Sequence, residues 1–323
     1  MPHILIPDEI HADGIALLRA TPGFTVDTDG PLAGAGAAAR LARADAMIVR
    51  GMPVGQTLLD QAPLLRFVCR HGVGYDSVDV PALTARGVLL GVTPEANAAS
   101  VAEHALMLML ALARRVVEFN AGVRRGEWRV RGASPTFELG GATVLLIGFG
   151  RIGTRVSRLC QAFGMRVLVH DPFVPANTIR GLGCEVVRDR DAGLAAADIV
   201  SLHVPSNARN RGMVDAGFLA AMKPGAVLVN TARGTLVDEA ALEAALRAGH
   251  LAAAGLDVLH TEPMTAPVPL LALPNVVLTP HVAASTAQGL QRMAVNAAEN
   301  AIAFFDGRMD PDAMINPEAL ERA

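Results

Sequence analysis

Apolar residues along this chain follow two alternating rhythms. Short, almost unbroken apolar runs stand at residues 3–6, 46–49, 65–69, 88–90, 143–147, 167–169, 199–204, 226–229, 254–258 and 276–278. Such runs predict β-strands covered on both faces, because a strand with one wet face would alternate apolar and polar positions. Between them lie Ala-, Leu- and Arg-rich stretches whose apolar positions return every three or four residues, the helical period. Residues 239–248 carry helix punctuation at both ends, with Asp238 as an N-cap and Gly249 as a stop. The longest helical pattern spans 97–124, and another spans 283–306. Strand and helix in this alternation predict doubly wound, parallel α/β sheets.

Composition narrows the picture. With 323 residues, 51% hydrophobic and 18% charged, the chain has apolar material for two cores, and intrinsic disorder is excluded. A net charge of −3 leaves no basic footprint for nucleic acid or an anionic membrane. The longest apolar run, 105–113, is too short to span a bilayer, and no basic region followed by an apolar core opens the chain. A cytoplasmic protein is the expectation. Cys69, Cys160 and Cys184 are scattered and odd in number, which predicts buried free thiols rather than disulfides or a metal site. Lys223 is the only lysine, so arginine carries nearly all the positive charge.

The strand 143–147 runs directly into Gly148-Phe149-Gly150-Arg151-Ile152-Gly153, and a helical pattern follows. At a strand-to-helix turn, this spacing has a physical logic. Gly148 permits the tight turn, Gly150 lets backbone approach a pyrophosphate, and Gly153 lets helix and strand pack closely. Free N–H groups and the helix dipole at Arg151 and Ile152 would hold phosphates. Asp171 ends the next strand, where a carboxylate accepts hydrogen bonds from an adenosine ribose and repels a 2′-phosphate. The pattern points to NAD.

Three polar residues then stand at the carboxyl ends of later strands: Arg233 after 226–229, Glu262 after 254–258 and His281 after 276–278. A carbonyl-reducing site needs such a set. An imidazolium donates the proton, a carboxylate orients it and raises its pKa, and a guanidinium grips a substrate carboxylate by two parallel hydrogen bonds.

These motifs, together with His203-Val204-Pro205, Gly212-Met213, Asn230-Thr231-Ala232-Arg233-Gly234 and Pro280-His281, occur in one order over essentially the whole chain. The sequence resembles the NAD-dependent D-isomer-specific 2-hydroxyacid dehydrogenases, which include phosphoglycerate dehydrogenases and hydroxypyruvate/glyoxylate reductases. The resemblance implies an Arg233, Glu262 and His281 triad, with His203, Pro205, Thr231, Ala232, Asp257, Ala283 and Ala284 lining the cofactor. It implies a Rossmann NAD-binding domain, 99–285, inserted into a discontinuous flavodoxin-like substrate domain, 1–98 and 286–323. It also implies a homodimer, with Trp128 near the partner's active site. Finally, it marks Gly72, Val73 and Gly74 as a substrate-carboxylate loop, where glycines let backbone N–H groups converge on an anion.

Other residues keep two readings. Arg50 and Arg70 are either solvated strand-end arginines or a grip on a charged substrate tail, as in phosphoglycerate dehydrogenases. His203 is structural or cofactor-lining, and His104 reads as a core histidine with a satisfied hydrogen bond. The substrate stays open among 3-phosphoglycerate, hydroxypyruvate/glyoxylate and a sulfonated 2-oxoacid. Glu262 argues against formate, since formate dehydrogenases resembling this family carry glutamine there, whereas phosphite stays open. A non-catalytic NAD-sensing corepressor would keep the same triad. No C-terminal regulatory domain is expected in this length.

Overall fold

The computed structural model describes residues 1–34, 36–132 and 136–321, with the side chains of Val130 and Arg131 left aside. It divides into two compact units, Met1–Asn97 with Ser285–Ala323, and Ala98–Ala284.

The first unit is built on five parallel strands, β1 (His3–Leu5), β2 (Thr25–Asp27), β3 (Ala46–Val49), β4 (Phe67–Arg70) and β5 (Leu89–Gly91), in the order β2-β1-β3-β4-β5. This is the flavodoxin-like order. All four residues of β3 are buried, as strands between two helical layers must be. The helix Ala287–Phe305 returns late in the chain to cover one face, setting Ala294, Ala297, Ala298 and Ala301 against Ile4, Phe67 and Leu89. Small residues permit this approach. A Cβ on Gly14, in the helix Ala12–Ala20, would stand 2.4 Å from the Ala294 carbonyl oxygen.

The second unit holds seven parallel strands, β6 (Thr143–Ile147), β7 (Arg166–His170), β8 (Glu185–Val186), β9 (Ile199–Leu202), β10 (Val227–Asn230), β11 (Ala253–Leu256) and β12 (Val276–Leu278). Their order is β12-β11-β10-β9-β6-β7-β8, a Rossmann sheet whose strand order reverses between β6 and β9. Ligands of open α/β sheets bind beyond the carboxyl ends of strands at such a switch point. Apolar clusters fill both faces, one around Leu145, Leu228 and Phe218, the other around Val144, Leu146 and Leu108.

Three differences from the sequence reading have physical causes. The edge strands β2 and β8 carry no unbroken apolar run, because each has only one covered side and exposes its first residue. The helical pattern 97–124 is two helices, Ala98–Ala113 and Val116–Arg124. Arg115 stands between them with φ of +49°, held by its Nε donating to Glu118 at 2.8 Å. The helix expected from 283 begins only at Ala287, capped by the Thr286 hydroxyl, which accepts from Gly289 N at 2.9 Å. Residues 281–283 are claimed by the site described next.

Candidate active site

The glycine loop after β6 has distinct steric demands at each glycine. Gly148 has φ of +97°, and a Cβ there would fall 2.5 Å from the His203 carbonyl oxygen. A Cβ on Gly153 would fall 2.3 Å from the Gly148 oxygen. These two glycines are needed by the fold itself. Gly150 is different, since a Cβ there would meet nothing within 4 Å. The space it leaves opens at the N-terminus of the helix Arg151–Ala162, which has no side-chain cap and whose first-turn N–H groups lack helical acceptors. A pyrophosphate fits that cradle in charge and in donor set.

Asp171, just past β7, closes one side. Its Oδ2 accepts from Phe149 N at 2.8 Å and its Oδ1 from Phe173 N at 2.9 Å, which aims the carboxylate beside the loop. His203, after β9, forms the opposite wall through its backbone. Its ring Nε2 lies 2.9 Å from the Ser201 hydroxyl, and burial lowers its pKa to about 4, which favours the neutral ring. The Pro205 carbonyl accepts from Asn210 at 2.6 Å. The buried Thr231 hydroxyl has no partner among the described residues, an orphan that a bound polar ligand would satisfy. These residues fit a dinucleotide.

After β10 the chain makes a tight turn around buried Asn230. Its Oδ1 accepts from Ala232 N at 2.9 Å and its Nδ2 donates to the Arg233 carbonyl at 2.8 Å. The turn presents the half-buried Arg233 guanidinium, whose Nη1 donates to the Ala232 carbonyl at 2.6 Å. Gly234 follows, pressed so closely against the loop after β11 that a Cβ would stand 1.9 Å from the Leu259 carbonyl. That loop carries Glu262. Its Oε1 accepts from Leu259 N at 2.7 Å and its Oε2 meets His281 Nδ1 at 2.5 Å. Burial alone would raise the Glu262 pKa, but hydrogen bonds from His281 and Leu259 and the charges of His281 and Arg233 hold it below the usual value. The hydrogen bond to Glu262 raises the pKa of His281 despite partial burial. Its side chain remains 51% exposed, accessible to a reactant.

His281 has φ of +52°, rare for a residue with a side chain. Asp257 holds it there. The Asp257 carbonyl accepts from His281 N at 2.8 Å, and its carboxylate accepts from Thr279 Oγ1 at 2.6 Å, Val282 N at 2.9 Å and Ala283 N at 2.9 Å. Asp257 is 1% exposed and therefore acts as a buried cap on the turn carrying His281, while Ala284 follows the capped residues.

Residues 106–283 match the model of the D-isomer specific 2-hydroxyacid dehydrogenase NAD-binding domain. The chain belongs to the D-isomer-specific 2-hydroxyacid dehydrogenase family. Within it, the chain is 43% identical over 318 residues to D-3-phosphoglycerate dehydrogenase of Mycobacterium leprae, covering 97% of this chain and 59% of that protein. It therefore spans about three fifths of that relative's length. It is also 43% identical over 270 residues to glyoxylate reductase of Aeropyrum pernix, covering 82% of this chain and 80% of the relative. Among solved structures, the NADPH-dependent glyoxylate/hydroxypyruvate reductase of Sinorhizobium meliloti in complex with citrate has a TM-score of 0.86. It is 33% identical and covers 99% of both chains.

Arg233, Glu262, His281, Asp257 and Thr231 thus lie in the same unit as the glycine loop, at or beyond the carboxyl ends of its strands. The remaining candidates stand in the first unit. Arg70 donates its Nε to the Gly74 carbonyl at 2.7 Å and so braces the 72–74 loop. Gly72 has φ of +137°, and the N–H groups of Gly72, Val73 and Gly74 find no acceptor among the described residues. Arg50 is exposed, and its backbone N–H donates to Asp8 at 2.5 Å. Sequence reasoning gave no role to Asn230, Gly234 or Thr279. Asn230 and Gly234 bracket Arg233 within one motif, and Thr279 sits two residues before His281, so proximity was the available signal. All three cysteines are buried and free, and burial pushes the Cys69 and Cys160 thiols up to about 12. Among the described residues, no helix is long and apolar enough to cross a membrane, and no three His, Cys, Asp or Glu side chains cluster as metal ligands.

Proposed function

We propose that this protein transfers a hydride reversibly between NAD(H) and a D-2-hydroxyacid/2-oxoacid pair. The observation that carries the reading is the His281–Glu262 pair, an exposed imidazole with a raised pKa beside Arg233 on an NAD-binding domain. When bound, NADH supplies the hydride that reaches C2 of the 2-oxoacid. Arg233 binds the substrate carboxylate and polarises the adjacent carbonyl. His281, its Nδ1 fixed on Glu262, presents Nε2–H and gives that proton to the substrate oxygen. In the reverse direction the neutral ring takes the proton back.

Residues 1–98 and 286–323 would serve as the substrate-binding domain and 99–285 as the NAD-binding domain. The orphan N–H groups at 72–74 support anion binding there, and Arg50 supplies an exposed charge for a phosphate or sulfonate tail. Asp171, clamped by two backbone N–H groups, favours NAD over NADP by charge. A homodimer is supported by the 70% exposure of Trp128 and by exposed Val116, Val117 and Val123 on the helix that contacts its segment, an apolar surface suited to a second copy.

The test is NADH and NADPH consumption against a panel holding phosphohydroxypyruvate, hydroxypyruvate, glyoxylate and a sulfonated 2-oxoacid at fixed salt. Turnover with NADH is expected, and His281→Ala should lower it about 10²–10⁴-fold while NADH binding persists. Cofactor binding without turnover on any member would overturn the enzymatic reading.

A further inference from the structure

We propose that His104 is a positioning residue for His281, acting through the Thr279 hydroxyl and the Asp257 carboxylate. The inference rests on the acid/base role given to His281 above. His104 lies on the helix Ala98–Ala113, and its Nε2 stands 2.9 Å from Thr279 Oγ1 and 3.5 Å from Asp257 Oδ1. A carboxylate only accepts hydrogen bonds, so the single Thr279 proton is committed to Asp257 across 2.6 Å. Thr279 can then meet His104 only as an acceptor. This assigns the Nε2–H tautomer to His104 and gives the chain one direction, from His104 to Thr279 to Asp257.

The end of that chain is the cap on the catalytic turn. Asp257 holds Val282 N and Ala283 N through its side chain and His281 N through its carbonyl, which keeps His281 in its left-handed conformation. A carboxylate taking three donors in a fixed plane has little freedom, and Thr279 sets its rotation only while Thr279 itself is held. The His104 side chain is 14% exposed and grows from a helix packed on the sheet, so the anchor is rigid. A core histidine satisfying itself would need none of this polarity. The charged groups acting on His281 are Glu262, Arg233 and Asp257, and the one acting on His104 is Asp257.

Two measurements test the proposal on the full chain. Imidazole ¹⁵N–¹H spectra of the wild type at neutral pH should place the His104 proton on Nε2, and a proton on Nδ1 would overturn the assignment without reference to activity. In kinetics with the best 2-oxoacid, His104→Phe should lower kcat about tenfold, the loss of one hydrogen bond's orienting effect. Its alkaline limb should move to lower pH as His281 loosens from Glu262, with NADH affinity by calorimetry unchanged. His104→Gln, which keeps a donor near the Nε2 position, should restore most of kcat and the pH profile. Equal losses in both variants with an unmoved profile would reduce His104 to packing. A wild type without turnover would sink the functional reading, while the tautomer would still decide the hydrogen-bond chain.

Discussion

Gly234→Ala puts the steric construction of the site to a direct test. Space alone is at issue, because the backbone of Gly234 is not left-handed. The added Cβ would stand 1.9 Å from the carbonyl carbon and oxygen of Leu259 and 2.5 Å from His260 N. Ordinary contact begins at 3.4 Å, so the neighbouring backbone must retreat by 3.4 − 1.9, about 1.5 Å. No rotamer can absorb this, since every atom met belongs to the main chain. Leu259 N is the donor that holds Glu262 Oε1, so Glu262 is carried away with it. The 2.5 Å contact to His281 would then open toward about 4 Å, beyond hydrogen-bond range. A displacement of this size in an orienting group is expected to lower kcat by about 10²-fold. Overpacking should also cost about 1–3 kcal/mol of stability. Steady-state reduction of the best 2-oxoacid and a thermal unfolding scan measure both. A variant with kcat within about twofold of wild type and an unchanged midpoint would refute the steric argument.

The other expectations follow from the same geometry. Gly150→Ala meets open space at an extended backbone, so stability should hold or rise slightly, while calorimetry should find NADH affinity at least about tenfold weaker; unaltered affinity would remove Gly150 from the phosphate cradle. For pH, His281 has a raised pKa and serves reduction as imidazolium, so activity should be full at low pH and fall as pH rises through that raised value. The pair's contribution to stability follows the same sense on its histidine side. On the Glu262 side, where the pKa is lowered, that contribution is present above the ordinary carboxylate value and lost as pH falls through the lowered one. Glu262→Gln cannot both accept from Leu259 N and accept from His281, so the hydrogen bond and charge that raise the His281 pKa are lost and the alkaline limb should move to lower pH. A pH–rate profile that stays in place would mean another group sets the limb.

Much of this protein was legible in one dimension. Double-sided burial makes a strand an unbroken apolar run, and for that reason β3 and β6 can be read to the residue. The glycine spacing is equally readable, since turn, cradle and close packing each exclude a side chain at a set offset. Strand ends also announce Arg233, Glu262 and His281, because polar residues placed directly after buried runs must face whatever lies beyond the sheet. The edge strands β2 and β8 escaped, each exposing its first residue and carrying no apolar run, and the break at Arg115 escaped because a single left-handed residue leaves the apolar period nearly intact. What tertiary structure alone decided is how the triad is held. The pressure of Gly234 on Leu259, the cap of Asp257 on His281 and the donation from His104 to Thr279 join segments distant in sequence. Local patterns record how a residue is buried, whereas a hydrogen bond across 175 positions depends on which surfaces the fold brings within 3 Å.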